Sequence, residues 1–199
     1  MDKRDRLFEV AERQQGYFTS RQAVQCGFKD ANFNFYLNTG EWLKEGRGVY
    51  RLARYPMTES PDLVMWALWS RGRGDVIHGV WSHETALAIY DLSDINPANL
   101  HLTVPVRFRK SAPDGLILHF CNLEPKDIRE RMGYLATTPL RTLLDLAEEG
   151  RLAKDLIKQA THQALARGIV LRTELDAIDS PSAKQLIELL NDPTIRERH

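Results

Sequence analysis

Gly16-Tyr17-Phe18-Thr19-Ser20-Arg21-Gln22-Ala23, Asp30-Ala31-Asn32-Phe33-Asn34-Phe35-Tyr36-Leu37-Asn38-Thr39-Gly40 and Trp42-Leu43-Lys44-Glu45-Gly46-Arg47-Gly48-Val49-Tyr50-Arg51-Leu52 decide the fold of this chain. Thr19 to Gln22 has the spacing of a capping box, in which the Thr oxygen accepts an orphan backbone N–H while Gln22 reaches back. A short helix through Ala23, Val24 and Cys26 follows, and Gly27 can stop it. Asp30 is placed to cap a third helix whose Phe33, Tyr36 and Leu37 share a face, with Asn32, Asn34, Phe35, Asn38 and Thr39 pointing elsewhere. The periodicity then changes: Trp42-Leu43-Lys44 and Val49 to Leu52 flank Glu45-Gly46-Arg47-Gly48, whose glycines can supply the positive φ of a hairpin turn. Upstream, Leu7, Phe8, Val10 and Ala11 recur at helical spacing and predict a first helix from about Arg4 to Gln14.

Three short helices and a hairpin within some fifty residues is the order of a winged helix-turn-helix, whose third helix can enter the major groove while the hairpin touches the backbone. Such a module needs polar side chains that match base edges and cations that hold phosphates. Asn32, Asn34 and Asn38 are suited to adenine and Phe35 to a thymine methyl. Lys29, Lys44, Arg47 and Arg51 are the phosphate candidates, and Arg21 joins the DNA-binding set. A competing reading stands beside this one. No Arg or Lys lies between Asp30 and Gly40, and winged helices also dock proteins, so a module that never touches DNA fits the same pattern.

The rest of the composition narrows the class. With 43% apolar and 27% charged residues in 199, the chain can bury a core, and its longest apolar run, Leu63 to Trp69, is too short to cross a bilayer. No secretion signal or membrane anchor is visible, and Cys26 and Cys121 lack disulfide-framework or zinc-finger spacing, so the expectation is a cytoplasmic protein. Net charge is zero but unevenly spread: residues 1–55 hold ten bases against seven acids, and the remainder seventeen against twenty. The excess of bases at the N-terminal end suits an anionic partner.

Leu7-Phe8 with Ala11, the run from Gly16 to Ala23, and Gly46 to Leu52 together resemble the N-terminal domain of AbiEi-type antitoxins of type IV toxin-antitoxin and abortive-infection systems. The similarity continues in order through Ser82-His83-Glu84-Thr85-Ala86-Leu87, Leu100 to Pro105, and Thr137 to Ala147. The resemblance implies a phage-defence antitoxin that binds inverted repeats in its own promoter, represses it, and opposes a nucleotidyltransferase-like toxin, with direct contact to that toxin left open. Family members tend to carry basic residues on the outer face of the third helix, where this chain has Asn34, Phe35, Asn38 and Thr39.

Pro56 to Ser60 reads as a polar joint, which divides the chain into a winged helix-turn-helix at 1–57 and a larger mixed α/β domain at 58–199, an α+β protein as a whole. Ser60-Pro61-Asp62 opens a helix through Trp69, and Ser82 caps another. His101 to Val106, Leu116 to Cys121 and Tyr134 to Thr137 read as strands, and Thr138-Pro139 opens a helix. Leu152 to Arg167, Arg172 to Ile178 and Ser182 to Asn191 form a helical tail. Val104, Val106 and Phe108 alternate with Arg107 and Arg109, and Lys110 follows, so a strand here would carry a basic face, either plain solvated surface or a second contact to DNA or toxin. Arg141 and Asp145 have the spacing of an exposed intrahelical ion pair.

Enzyme chemistry is weakly signalled. His83-Glu84 begins like a zinc-protease HExxH, but Leu87 occupies the second histidine's place. Asp114 with Glu124-Pro125-Lys126 has the lettering of a metal-dependent nuclease, although Pro125 disrupts the strand such a site needs. His78, His83, His101, His119, His162 and His199 show no metal-ligand spacing. The expectation is therefore a non-enzymatic regulator without cofactor or metal, with a DNA-targeted nuclease as the rival from another class.

Overall fold

A computed structural model describes residues 1–57, 60–72 and 74–195. Thr58 and Glu59 of the expected joint, and His199, lie outside the described residues. The chain divides into two compact units, Met1–Gly79 with Glu130–Leu135, and Val80–Arg129 with Ala136–His199. The N-terminal part is a winged helix-turn-helix and the larger C-terminal part is mixed α/β.

The first unit opens with α1 (Lys3–Glu12), capped by Asp2, whose own backbone N–H is accepted by Asp5 in a capping box. β1 (Tyr17–Thr19) follows, and α2 (Ser20–Gln25) starts at the expected box, with Gln22 N donating to Thr19 Oγ1 at 3.2 Å and Thr19 N to Gln22 Oε1 at 2.8 Å. The third helix differs from expectation at its start. Asp30 caps nothing with its side chain; Asp30–Asn32 form a 3-10 turn that leads into a six-residue α3 (Phe33–Asn38). β2 (Trp42–Gly46) and β3 (Val49–Leu52) make the hairpin, with a register shift between Lys44 and Gly46. The turn needs one left-handed residue: Gly48 sits at φ +72°, whereas Gly46 stays within the strand.

β1 was not legible from periodicity. It pairs antiparallel with β3, Tyr17 opposite Arg51 and Thr19 opposite Val49, giving the sheet order β1-β3-β2. Alternation along it sends Phe18 into an aromatic core with Phe28, Phe33, Tyr36 and Trp42, while Tyr17 packs with Val49, Val64 and Leu68. Trp42 is the hub: Phe18 meets it edge-on at 4.8 Å, Phe33 edge-on at 5.1 Å, and Tyr36 stacks on it at 4.7 Å. Pairs of this kind stabilise by about 0.5–1.5 kcal/mol beyond burial, so the rings fix the angle between α3 and the sheet.

The unit reaches past the joint expected near residue 58. α4 (Pro61–Trp69) supplies Val64 and Leu68, and the hairpin tip Glu130–Leu135 supplies Tyr134 to the same cluster. At that tip Gln15 Nε2 donates to Met132 O at 2.7 Å. Gly133 stands at φ +87° so close to Gln14 that a Cβ would lie 2.9 Å from its Cα.

In the second unit β4 (Val80–Trp81) pairs antiparallel with β5 (Leu100–Val104), and β5 pairs parallel with β6 (Leu116–Phe120). With β7 (Ile128–Arg131) and β8 (Tyr134–Thr137) the sheet order is β6-β5-β4-β8-β7. Helices α5 (His83–Ile89), α6 (Pro139–Glu149), α7 (Lys154–Ala166), α8 (Arg172–Asp176) and α9 (Pro181–Asn191) bury Leu87, Leu143, Leu146, Ile157, Leu175 and Leu186 in one cluster. Thr138 caps α6 through Arg141 N, and Ser180 caps α9 through Ala183 N, each followed by proline at the first helical position.

One strand is shorter than its alternation predicts. β5 ends at Val104, and Phe108 N donates to Pro105 O at 2.8 Å, so Val106 to Lys110 form a turn and loop. Proline removes the donor that would continue the ladder. Arg107, Arg109 and Lys110 are exposed on that loop instead of forming one strand face. Among the described residues no helix is long and apolar enough to cross a membrane.

Candidate functional site

α3 buries Phe33 and Tyr36 and turns Asn34, Phe35 and Asn38 outward, with Asn32 exposed in the 3-10 turn before it. The split follows from helical spacing, since residues 33 and 36 lie on one side and 34, 35 and 38 on the others. Phe35 is 59% exposed and leans edge-on against Tyr36 at 5.4 Å. Arg21 on α2, Lys29 ahead of the 3-10 turn, and Lys44 and Arg47 on the hairpin are also exposed. The wing turn is anchored to α2, with Ser20 N donating to Gly48 O at 3.0 Å. Arg47 in that turn therefore has a fixed base.

Arg51 is a correction. It is 8% exposed, its Nε donates to Glu45 Oε1 at 2.9 Å, and its Nη1 to Tyr55 O at 3.3 Å. Residue 51 faces the packed side of β3, where the guanidinium ties the hairpin to the chain leaving it. It holds the wing together and is not available to a phosphate.

The second unit gathers other candidates. Glu124, the N-cap, and Lys126 of the 3-10 turn Pro125–Asp127 are exposed and bond each other at 2.8 Å. Lys126 beside it holds the Glu124 carboxyl below the usual range. The nuclease lettering is thus carried by a surface ion pair instead of a strand. Arg141 and Asp145 do pair, Nε to Oδ1 at 2.7 Å, but Asp145 is buried, not exposed, and Arg141 also reaches Asp127 Oδ2 at 3.5 Å. Burial outweighs the neighbouring Arg141 and raises the Asp145 carboxyl to about 6.

Sequence spacing missed the histidines. His83 at the head of α5, His101 on β5 and His119 on β6 meet with one ring nitrogen of each within 4.8 Å of the others. His119 pairs with Thr103, two residues along from His101, so the parallel register places both rings on one sheet face. His101 Nδ1 and His119 Nε2 are 3.0 Å apart, and His83 stacks on His119 with centroids 3.6 Å apart. Glu84 Oε2 lies 3.1 Å from His101 Nε2, and Ser82 Oγ 2.9 Å from His83 Nδ1. Burial, reinforced by the other two imidazoles, pushes His83 down to about 3. Beside the cluster is a cavity of about 350 Å³ lined by His83, His119, Cys121, Arg141, Asp145 and Glu149, among others. The register across β5 and β6 is the signal that would have found it, and single-chain spacing does not contain that register.

Helix order and the three-stranded sheet define the first unit as a winged helix-turn-helix. Residues 5–53 match the family model described as "Transcriptional regulator, AbiEi antitoxin", so this N-terminal region is similar to AbiEi-type antitoxins. The family is one of antitoxins with a regulatory role. No curated protein matches the chain. Among solved structures the chain is similar to "Crystal structure of RV2827C protein from Mycobacterium tuberculosis", with a TM-score of 0.54 at 14% identity, covering 95% of this chain and 76% of that one. At that identity the likeness is one of fold alone.

Proposed function

We propose that this chain is a non-catalytic antitoxin that binds inverted repeats in its own promoter, represses transcription there, and counteracts a cognate nucleotidyltransferase toxin. The observation that carries the reading is the outward face of α3, with Asn32, Asn34, Phe35 and Asn38 set between Lys29 and the wing cations Lys44 and Arg47, inside a region that matches a transcriptional-regulator family. The amides read base edges from the major groove, Phe35 meets a thymine methyl, and Arg21, Lys29, Lys44 and Arg47 hold phosphates. With few cations and none on α3, non-specific affinity is low and base contacts carry a large share of specific binding. The exposed loop cations Arg107, Arg109 and Lys110 are a second contact, to flanking DNA or to an acidic face of the toxin.

The test is a gel shift on the DNA upstream of the gene, with and without its inverted repeat, across a salt series. Specific binding with a log-log salt slope of about −4 or shallower per bound copy is expected from four phosphate contacts at about −0.9 each. Equal affinity for unrelated DNA, or no complex at low salt, removes the reading. The exposed Phe35 favours one second reading, a protein-docking module, in which Asn34→Ala leaves DNA mobility untouched and Phe35→Ala abolishes capture by the toxin.

A further inference from the structure

We propose that His83, His101 and His119 hold a first-row transition-metal ion, Zn²⁺ in the first place, beside the second unit's cavity, which His83 and His119 line. The three imidazoles come from three separate elements, α5, β5 and β6, yet their donor atoms converge within 4.8 Å. Two nitrogens on one tetrahedral zinc at about 2.0–2.1 Å from the metal stand roughly 3.3 Å apart. His101 Nδ1 and His119 Nε2 already stand at 3.0 Å.

The outer contacts suit ligation. A ligating histidine commonly gives its other ring nitrogen to a carboxylate or another oxygen, which fixes the tautomer and raises the basicity of the inner nitrogen. Glu84 Oε2 is placed for this on His101 Nε2 at 3.1 Å, and it has no other polar partner among the described residues. A buried carboxylate oxygen with one imidazole beside it is costly unless that imidazole carries a proton toward it, which leaves Nδ1 free to bind. Ser82 Oγ takes the same part at His83 Nδ1, leaving Nε2 toward the cavity, where Glu149 Oε2 is 3.9 Å away.

A separate observation comes from the backbone. His83 is 6% exposed and sits at φ +51°. A side-chain-bearing residue in the left-handed region costs about 1–2 kcal/mol, and strain of that kind gathers where a side chain has to be aimed. Here it turns the first residue of α5 back over the β5–β6 ladder. The His83 ring lies flat on His119, and ligation by all three requires the His83 ring to turn so that its nitrogen faces the other two. Imidazole donors without thiolate suit Zn²⁺, Cu²⁺ or Ni²⁺. Three protein ligands leave a fourth position on the cavity side, open to water or to Glu149.

The test uses the full chain, stripped with chelator and titrated with Zn²⁺ alone. One ion per chain is expected, with the imidazole signals of His83, His101 and His119 moving in NMR spectra of the unaltered protein, and with a tetrahedral or five-coordinate ligand-field spectrum when Co²⁺ replaces zinc. His119→Ala, at a partly exposed strand position, is expected to lose binding, and Glu84→Gln to weaken it about 10–100-fold while the fold persists. Absence of stoichiometric uptake overturns the proposal. So does uptake that moves other histidines, or that survives in a folded His119→Ala.

Discussion

Gln14 and Gln22 exchange two side-chain hydrogen bonds, Gln14 Nε2 to Gln22 Oε1 at 3.1 Å and Gln22 Nε2 to Gln14 Oε1 at 2.9 Å, in the buried angle between α1 and α2. The pair satisfies more than itself. Gln14 Nε2 also donates to Tyr17 O, Gln22 Oε1 accepts Thr19 N, and Arg71 Nη2 donates to Gln14 Oε1 at 2.6 Å. Truncating Gln22 takes its acceptor from the buried Thr19 N–H and one partner each from Gln14 Nε2 and Oε1, and a buried group left unpaired costs about 1–3 kcal/mol. Gln22→Ala is expected to lower unfolding free energy by about 2–3 kcal/mol at unchanged denaturant slope, read from urea titration. A loss under 0.5 kcal/mol would show that the network contributes nothing net.

Arg47 and Arg51, four residues apart on one hairpin, should separate cleanly. Arg47→Ala removes an exposed cation, so operator affinity falls and the salt slope becomes shallower by about 0.9 with the melting temperature unchanged. Arg51→Ala breaks the part-buried bond to Glu45 and leaves that carboxylate beside Tyr17, so stability falls first. Thermal melts and salt-dependent gel shifts on both variants decide the matter. A destabilised Arg47→Ala, or an Arg51→Ala that melts normally and loses only DNA, reverses the assignment.

On α3, Asn34→Ala and Asn38→Ala are expected to lower the ratio of specific to non-specific affinity while leaving the salt slope where it was. A good amide-to-adenine pair contributes about 1–3 kcal/mol of discrimination, so the ratio should fall by between about 5- and 150-fold. Competition with mutated inverted repeats measures this. Parallel weakening on every sequence would make these residues backbone contacts.

Acid should loosen the second unit in chelated protein. His83 is pushed from 6.5 down to about 3 when folded, so the neutral ring is the form the fold favours. That contribution is complete above pH 6.5 and is lost as pH falls toward 3. Asp145 works the other way: its carboxyl, raised from 3.8 to about 6, favours folding most below pH 3.8, and this is lost as pH rises through 6. His101 and His119 are also lowered by burial, so three imidazoles oppose one carboxyl, and the urea midpoint is expected to fall between pH 7 and pH 5. His83→Asn, a residue that tolerates the left-handed backbone, should shrink that fall. A midpoint that rises on acidification would give Asp145 the upper hand.

Local signals carried the N-terminal elements. The Thr19–Gln22 box, the Phe33/Tyr36 face and the paired runs around Gly46 and Gly48 each contain their own geometry within a few residues. β1 was missed because three residues cannot display alternation, and β7 because Ile128-Arg-Glu-Arg is polar along its length. Arg51 was misread because strand parity alone does not say which face is covered. The His83, His101 and His119 cluster depends on a parallel register between β5 and β6, a pairing across an intervening loop that no spacing in the chain encodes. Pro105, visible from the start, was the sign that the basic run from Arg107 would leave the sheet.

The glycine at 133 has a bearing on how this chain can be made and cut. The segment that completes the first unit leaves the ribosome some fifty residues after Gly79, so until it emerges Tyr17, Val49, Val64 and Leu68 lack their last neighbour, Tyr134. A fragment ended at residue 57 for laboratory expression would discard α4 with its Val64 and Leu68 as well, and bare Tyr17 and Val49, inviting association. Reagents meant to isolate the winged helix-turn-helix unit therefore have to carry a late-synthesised piece of chain together with the early one.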